Sequence, residues 1–317
     1  MRVLITGAAG FIGFHLSKSL VDDGYEVLGI DNLNDNYDPN LKLARLEQLK
    51  PYKNFKFEKI DIANRESITQ SFQSFKPNKV VNLAAQAGVR YSIENPYAYM
   101  NSNLVGFINI IELCRHNNVE GFIYASSSSV YGGNSKIPFS VNDRADNPIS
   151  LYAATKKSNE LIANSYSHLY GLHTTGLRYF TVYGPWGRPD MAMFIFTRKI
   201  LAGEPIPVFN NGNMKRDFTY IDDIISGTRS AIDKNYKCKI FNLGNHKSEH
   251  LMDMIALLEK ELGKKANIDF QPMQPGDVQE SFADIKLSEK KLSFKTTTSI
   301  NKGIPKFIYW FLKYYKS

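Results

Sequence analysis

The sequence predicts an α/β protein: a doubly wound parallel sheet with a smaller, interleaved C-terminal lobe. Three observations carry this expectation. Short apolar runs alternate with helical patterns over residues 1–180, the rhythm of strands joined by crossover helices. A glycine-rich loop, Gly7-Ala8-Ala9-Gly10-Phe11-Ile12-Gly13, lies between the first apolar run and the first helical pattern. From Tyr179 the texture changes to glycine, proline and aromatic punctuation, which is typical of loops that build a pocket. The expected division is 1–180 for the sheet-based domain and 181–317 for the second lobe, with some of its segments returning to the sheet.

Arg2-Val3-Leu4-Ile5-Thr6 reads as a short apolar strand. The glycines after it let the backbone turn sharply and approach a pyrophosphate with no side chain in the way. The helix that begins near Phe11 and Ile12 points its free amides and positive dipole end at the phosphates. The spacing is GxxGxxG, not GxGxxG, and its setting between strand and helix is what makes it informative. Glu26–Ile30 is the second strand and ends in Asp31, about 20 residues past the glycines, where a carboxylate accepts hydrogen bonds from ribose hydroxyls. No lysine or arginine follows until Lys42, so NAD is expected in preference to NADP.

Residues 32–53 form an excursion with a helix near Leu41–Leu49. Strand three, Phe55–Ile60, leads to Asp61 and Ile62, expected beside the adenine. Strand four, Val80–Ala85, ends in Leu83, Ala84 and Ala85, and its small residues suit a close approach by the cofactor. The loop Gln86–Arg90 then lies at the carboxyl end of the sheet, where doubly wound folds place ligands. Arg90 is either a phosphate contact or a surface charge. Pro96 opens a helix to about His116. Asn101, one turn in, either orients a catalytic lysine or water or is a solvated helix residue.

Strand five, Gly121–Ala125, runs into Ser126-Ser127-Ser128-Ser129-Val130-Tyr131-Gly132. Tyr152-Ala153-Ala154-Thr155-Lys156 then opens a helix to about Tyr170. Tyr152 and Lys156 are four residues apart and share a helix face. A lysine ammonium near a phenol favours the phenolate, giving a base able to take a proton from a sugar hydroxyl, while a serine at the strand end holds the same hydroxyl. Alone, YxxxK is an ordinary helix face; behind a glycine loop it is a candidate catalytic pair. His173–Arg178 is strand six. Beyond it, helices are expected at 193–201, 222–232 and 251–262, short strands at 207–209, 216–220 and 240–243, and an amphipathic helix at the end.

With 317 residues the chain can bury a full core. Its net charge of +8 is dispersed apart from short clusters at Lys286–Lys295 and Lys302–Lys316. No nucleic-acid recognition motif accompanies it. No apolar run approaches the ~20 residues of a membrane span, and no signal peptide is apparent. Cys114 and Cys238 have no metal-ligand spacing; they read as reduced thiols of a cytoplasmic protein. No metal site is expected.

These pieces together resemble the extended short-chain dehydrogenase/reductase family of nucleotide-sugar epimerases and dehydratases. The resemblance spans nearly the whole chain, through the glycine loop, Asp31-Asn32, Asp61-Ile62, Leu83-Ala84-Ala85, the serine run, the Tyr152–Lys156 segment and Leu177-Arg178-Tyr179-Phe180. Within the family the chain is most similar to enzymes acting on UDP-glucuronate. The residues behind this are Asp31–Asp38, Ala87–Ser92, Gly187–Ala192 and Met273-Gln274-Pro275-Gly276-Asp277-Val278. The resemblance implies a Rossmann domain, bound NAD, a UDP-sugar substrate and epimerisation at carbon four through a transient 4-keto sugar, most simply UDP-glucuronate to UDP-galacturonate. It also implies a role in polysaccharide biosynthesis and a homodimer packed through the Tyr97–Asn117 and Tyr152–Tyr170 helices.

Carried over residue by residue, the resemblance assigns catalysis to Ser127, Tyr152 and Lys156. Cofactor contacts fall to Gly7, Gly10, Phe11, Ile12, Gly13, Asp31, Asn32, Asp61, Ile62, Leu83, Ala84, Ala85, Asn101, Tyr152, Lys156 and Tyr179. Lys156 would hold the nicotinamide ribose and lower the tyrosine pKa. Substrate contacts fall to Arg90, Ser127, Ser128, Thr181, Arg188, Arg216 and Asp277. Arg188 is the candidate for a substrate carboxylate, the other reading being a loop arginine paired with Asp190. Related dehydratases carry an acidic pair, and decarboxylases a glutamate, where this chain has Ser128-Ser129. A neutral UDP-glucose or UDP-N-acetylglucosamine epimerase and a non-catalytic NAD-binding sensor remain as alternatives.

Overall fold

Both faces of the first strand, β1 (Arg2–Thr6), are covered. Val3 and Ile5 pack into one apolar cluster and Leu4 into the other, which is why the strand reads as a continuous apolar run. The computed structural model describes residues 1–274 and 277–316; Pro275 and Gly276 of the motif above lie outside them. In order follow α1 (Phe11–Asp22), β2 (Glu26–Asp31), α2 (Pro39–Leu49), β3 (Phe55–Lys59), α3 (Arg65–Phe75) and β4 (Lys79–Asn82). Next come α4 (Tyr91–Glu94), α5 (Pro96–Tyr99), α6 (Gly106–His116), β5 (Gly121–Ser127), α7 (Leu151–Tyr170) and β6 (Thr174–Tyr179).

The second half begins with β7 (Thr181–Tyr183), α8 (Ala192–Ala202), β8 (Pro205–Phe209), β9 (Lys215–Arg216), β10 (Phe218–Tyr220), α9 (Ile221–Lys234) and β11 (Cys238–Leu243). It ends with β12 (Glu249–His250), α10 (Leu251–Leu262), β13 (Asn267–Gln271), β14 (Glu280–Ser281), α11 (Lys286–Leu292) and α12 (Ile300–Lys316).

Seven strands form one parallel sheet in the order β11-β6-β5-β4-β1-β2-β3. The chain winds one way from β1 to β3 and the other way from β4, so the sheet reverses between β1 and β4. A crevice opens at the carboxyl ends of strands at such a reversal. β11 comes from the second half and completes the edge beside β6. Short strand pairs, β10 with β7 and β13 with β8, and the trio β12-β9-β14 build the substrate side.

Three local differences from the sequence reading have plain causes. β4 stops at Asn82, because the Leu83 amide donates to Thr6 O (3.2 Å) and the Ala84 amide to Thr6 Oγ1 (3.1 Å), which bends the chain over the end of β1. β5 continues to Ser127, whose side chain then accepts from the Ser129 amide and starts a 3₁₀ turn over Ser128–Tyr131. The helix expected from Pro96 contains a π-helical stretch, Met100–Val105, between α5 and α6. A π stretch rotates every later side chain relative to α-helical register.

Candidate active site

The crevice widens into a cleft of about 800 Å³ that runs from the glycine loop to Arg216 on β9 and to Asp277. At one end Gly7 adopts φ +72° and donates to Ile30 O (2.7 Å). A Cβ there would meet the Ala84 amide nitrogen at 2.8 Å, and one on Gly13 would meet Gly7 O at 2.0 Å. These glycines therefore let the loop, α1 and the end of β4 close on one another. α1 starts at Gly10 without a side-chain cap, which leaves its first amides to the cleft. Phe11 and Ile12 line the cleft beside them.

Asp31 ends β2 and is buried. Its Oδ2 accepts from the Ala9 amide (3.2 Å) and its Oδ1 from the Leu33 amide (2.8 Å). Burial raises its pKa, opposed by these amides and by the nearby cations Lys42 and Arg45. Basic side chains thus come closer to Asp31 than the linear spacing suggests, which corrects the expectation that none is near. Both are engaged elsewhere: the Lys42 ammonium donates to Asn34 O (2.7 Å) and Asn34 Oδ1 (2.6 Å), and Arg45 to main-chain carbonyls and a phenol. Asn32 donates to Asp61 Oδ2 (3.0 Å). Asn32, Asp61, Ile62, Leu83, Ala84 and Ala85 all face the cleft.

α7 is fixed at its start by Ser150, which accepts from the Ala153 amide (3.1 Å), and is ended by Gly171 at φ +68°. That framing puts Tyr152 in the first turn and Lys156 one turn on, both lining the cleft with Ser127 and Ser128. Beneath them a buried ion pair ties α7 to β5 and β6: Arg178 Nε and Nη2 donate to the Glu160 carboxylate (2.7 and 2.8 Å), and Ser126 Oγ donates to Glu160 Oε1 (2.7 Å). Burial pushes the Glu160 carboxyl up, and Arg178 and Ser126 more than reverse this.

The electrostatics differ from the sequence expectation in one respect. Burial raises the Tyr152 pKa, and the groups that draw it back are the Ser127 hydroxyl and the Arg188 guanidinium. Lys156 is itself brought down to about 8 by burial, and it donates to Ala125 O (2.9 Å). In place of the expected lowering by Lys156, the tyrosine stays raised by burial, with Ser127 and Arg188 as the groups that oppose the rise. Asn101 is a second correction: it is exposed and does not line the cleft. The π stretch brings Asn103 inward instead. Its Oδ1 accepts from the Gln86 amide (2.8 Å), and its Nδ2 donates to Gln86 O and Thr155 Oγ1 (both 3.0 Å).

Thr181 on β7 and Arg188 in the following loop line the middle of the cleft. Arg188 pairs with Asp190 through Nε (3.0 Å) and Nη2. Tyr179 also borders the cleft, with its hydroxyl paired to Thr228 Oγ1 (3.0 Å). At the far end Arg90 lies over the Phe209 ring (4.8 Å) and 3.6 Å from the Asp277 carboxylate. Burial lowers the Arg216 pKa, and Asp277 opposes this. Asn34, Tyr37, Lys42 and Gln86 also line the cleft and are not among the site residues expected from the sequence; the available signals are the place of Gln86 in the loop after strand four, that of Asn34 and Tyr37 in the stretch Asp31–Asp38, and the helical period of α2, which puts Lys42 and Arg45 near one face. Among the described residues no group of three or more His, Cys, Asp or Glu could hold a metal, and no helix is long and apolar enough to cross a membrane.

The chain matches the model of the NAD dependent epimerase/dehydratase family over residues 3–244. It is 49% identical to Protein CapI of Staphylococcus aureus, with 100% of each chain covered. It is 47% identical to UDP-glucuronate 4-epimerase 4 of Arabidopsis thaliana, over 99% of this chain and 76% of that one. Its structure resembles that of UDP-glucuronic acid 4-epimerase from Bacillus cereus in complex with UDP-glucuronic acid and NAD: the TM-score is 0.94 and the identity 35%, covering 99% of this chain and 100% of that one.

Proposed function

This chain belongs to the NAD dependent epimerase/dehydratase family, and we propose that within it the protein inverts carbon four of UDP-glucuronate, giving UDP-galacturonate. It is an NAD-dependent isomerase of the nucleotide-sugar epimerase kind. The residues fit a dinucleotide. The glycine cradle has no room for a Cβ, the uncapped amides of α1 suit a pyrophosphate, and Asp31 ends β2 where a ribose is held. Bound NAD supplies the hydride acceptor and donor at carbon four.

The chain's own part is proton transfer and orientation. Tyr152 takes and returns the proton of the carbon-four hydroxyl, and Ser127 holds the same oxygen. Ser127 and Arg188 both favour the phenolate against the effect of burial. Lys156 holds the ribose beside them. Arg216, Arg90 and Asp277 surround the diphosphate and uridine.

The observation that carries the choice of substrate is that Arg188 lines the same cleft as Tyr152. A guanidinium has five N–H donors in a planar fork, and Asp190 takes two of them along one edge. The remaining donors can bind a substrate carboxylate with directional hydrogen bonds. Asp190 then acts as the anchor that aims the fork. Ser127, Ser128 and Ser129 add neutral donors and no repelling acid. A uronate oxidised at carbon four is a β-keto acid, which loses carbon dioxide readily when the breaking bond stands perpendicular to the carbonyl plane. Arg188 holds the carboxylate away from that orientation.

The test is calorimetric binding and product analysis with UDP-glucuronate and UDP-glucose, for the wild type and Arg188→Ala. The wild type should epimerise UDP-glucuronate. The variant should lose roughly 1.5–3 kcal/mol of binding for UDP-glucuronate beyond any loss for UDP-glucose, as for one charged hydrogen bond, and should release some UDP-pentose. Equal losses would make Arg188 scaffold and favour a neutral UDP-hexose; turnover of neither sugar would favour a non-catalytic NAD sensor.

Two further readings accompany this one. Tyr97, Leu161 and Leu169 are 79%, 59% and 65% exposed on α5 and α7, an apolar face suited to a homodimer. Free Cys114 and Cys238 suit a reducing compartment, the cytoplasm, and an activated uronate suits polysaccharide biosynthesis.

A further inference from the structure

Arg45 on α2 is the largest fully buried side chain of the protein's described residues, yet it has no carboxylate partner among its hydrogen bonds. Its five donors meet neutral oxygens. Nε and Nη2 donate to Trp186 O (3.1 and 2.7 Å), and Nη2 also donates to Gly187 O (3.1 Å). Nη1 donates to Ala9 O in the glycine loop (2.9 Å) and to the Tyr37 hydroxyl (2.8 Å). The neighbouring carbonyl, Pro185 O, is taken by His15 Nε2 on α1 (2.9 Å). Three consecutive carbonyls are therefore held by side chains of the first two helices, immediately before Arg188.

The held segment is not a relaxed one. Trp186 has φ +63° and Gly184 φ +145°, and a non-glycine residue in the left-handed region persists only where its surroundings over-determine it. The Trp186 ring is packed by Phe14 of α1 (5.7 Å) and by Trp310 and Tyr314 of α12 (5.3 and 5.2 Å). On the other side, Ala9 is bonded through its amide to Asp31 Oδ2. A continuous path thus runs from Asp31 through Ala9 and Arg45 to the backbone that presents Arg188.

We propose that Arg45, assisted by His15, is a positioning residue: it clamps the 185–187 backbone to the glycine loop and so aims Arg188 at the substrate carboxylate. This rests on the reading of Arg188 given above. Arg45 reaches no reacting atom. Three of its five bonds hold the loop, and the other two anchor it to Ala9 and Tyr37. The angle of that loop decides whether the Arg188 fork meets a carboxylate, and a neutral sugar has little to lose when that angle relaxes.

The test uses the NAD-saturated protein with Arg45→Met, Arg45→Lys and His15→Leu. Calorimetry with UDP-glucuronate and UDP-glucose, mass spectrometry for UDP-pentose, and hydrogen exchange over residues 184–191 are read together. In Arg45→Met, UDP-glucuronate affinity should fall about tenfold, as for one charge-assisted bond lost at Arg188, with UDP-glucose nearly unchanged and UDP-pentose appearing. Arg45→Lys should lie between the two, and exchange at the Gly187 and Met191 amides should accelerate. Equal weakening of both sugars with unchanged exchange would overturn the proposal. If Arg45→Met does not fold, His15→Leu decides, since it removes the bond to Pro185 O and keeps an apolar side chain against Phe11 and Phe14: an unchanged sugar preference and unchanged exchange would overturn it. If the wild type itself shows no preference for UDP-glucuronate, the carboxylate reading fails, and exchange alone then decides whether Arg45 clamps the loop.

Discussion

Replacing Lys156 with methionine should stabilise the cofactor-free protein while ending its turnover. Lys156 is 3% exposed, and burial lowers its pKa from 10.5 to about 8. The folded chain therefore binds fewer protons than the unfolded chain between about pH 8 and about pH 10.5, so stability rises with pH across that window. Below it the protein bears the whole cost of a buried ammonium, about 3 kcal/mol at 1.36 kcal/mol per pH unit. Methionine has a similar reach and no charge. It gives up the bond from Nζ to Ala125 O, worth about 1 kcal/mol. The net gain near pH 7 is then about 2 kcal/mol, and it should vanish or turn slightly negative near pH 10 as the wild type sheds its proton. Urea unfolding of both proteins at these two pH values, after the nucleotide has been stripped and its removal verified, measures the difference. A variant less stable than the wild type by the same amount at both pH values would refute the reasoning, because the ammonium would then carry no burial cost. Catalytic groups held at such a cost are a common source of conflict between stability and activity.

Tyr152→Phe should lower turnover by roughly 10²–10⁴, as for a lost general base, while the NAD content after denaturation stays near that of the wild type; retention of more than a tenth of the rate would mean another group takes the proton. Titration with NAD and NADP should favour NAD, because a 2′-phosphate placed beside the Asp31 carboxylate would be repelled; equal affinities would mean that Lys42 or Arg45 leaves its present partners to receive the phosphate. Light scattering should give a dimer that Leu161→Lys with Leu169→Lys converts to monomer; a wild-type monomer would leave the α5 and α7 face without this role.

What could be read from the chain beforehand divides by how local its cause is. Gly7, Gly10 and Gly13 announce themselves because a strand, a tight turn and a helix start must fit within about a dozen residues. Ser150, Tyr152 and Lys156 are set by one helix cap and one helical turn. An α-helical count from Pro96 points to Asn101, and the π stretch at Met100–Val105 brings Asn103 inward in its place. Nothing in the linear pattern reports that Gly106 must accommodate Ile62 or that a helix here widens. Lys42 and Arg45 read as ordinary polar positions of a surface helix; Arg45 is buried against the loop 184–188, more than a hundred residues away, and Lys42 folds back onto Asn34 of the irregular segment before α2. The effect expected of Lys156 on Tyr152 assumed a free ammonium, whereas β5 offers it the carbonyl of Ala125.

The parallel edge completed by β11 has a consequence for synthesis. β6 is buried along its whole length, and its outer row of amides and carbonyls pairs only with β11. A ribosome that has released Tyr179 must add the 64 residues to Leu243 before that partner exists, several seconds at ~5–20 residues per second. Throughout that interval the nascent chain carries an unpaired edge on a strand that is buried in the finished fold, the kind of edge that recruits strands from other chains. A fragment ending near residue 180 would hold that state permanently. It should collect in inclusion bodies, whereas one that extends past Leu243 would at least have closed the sheet.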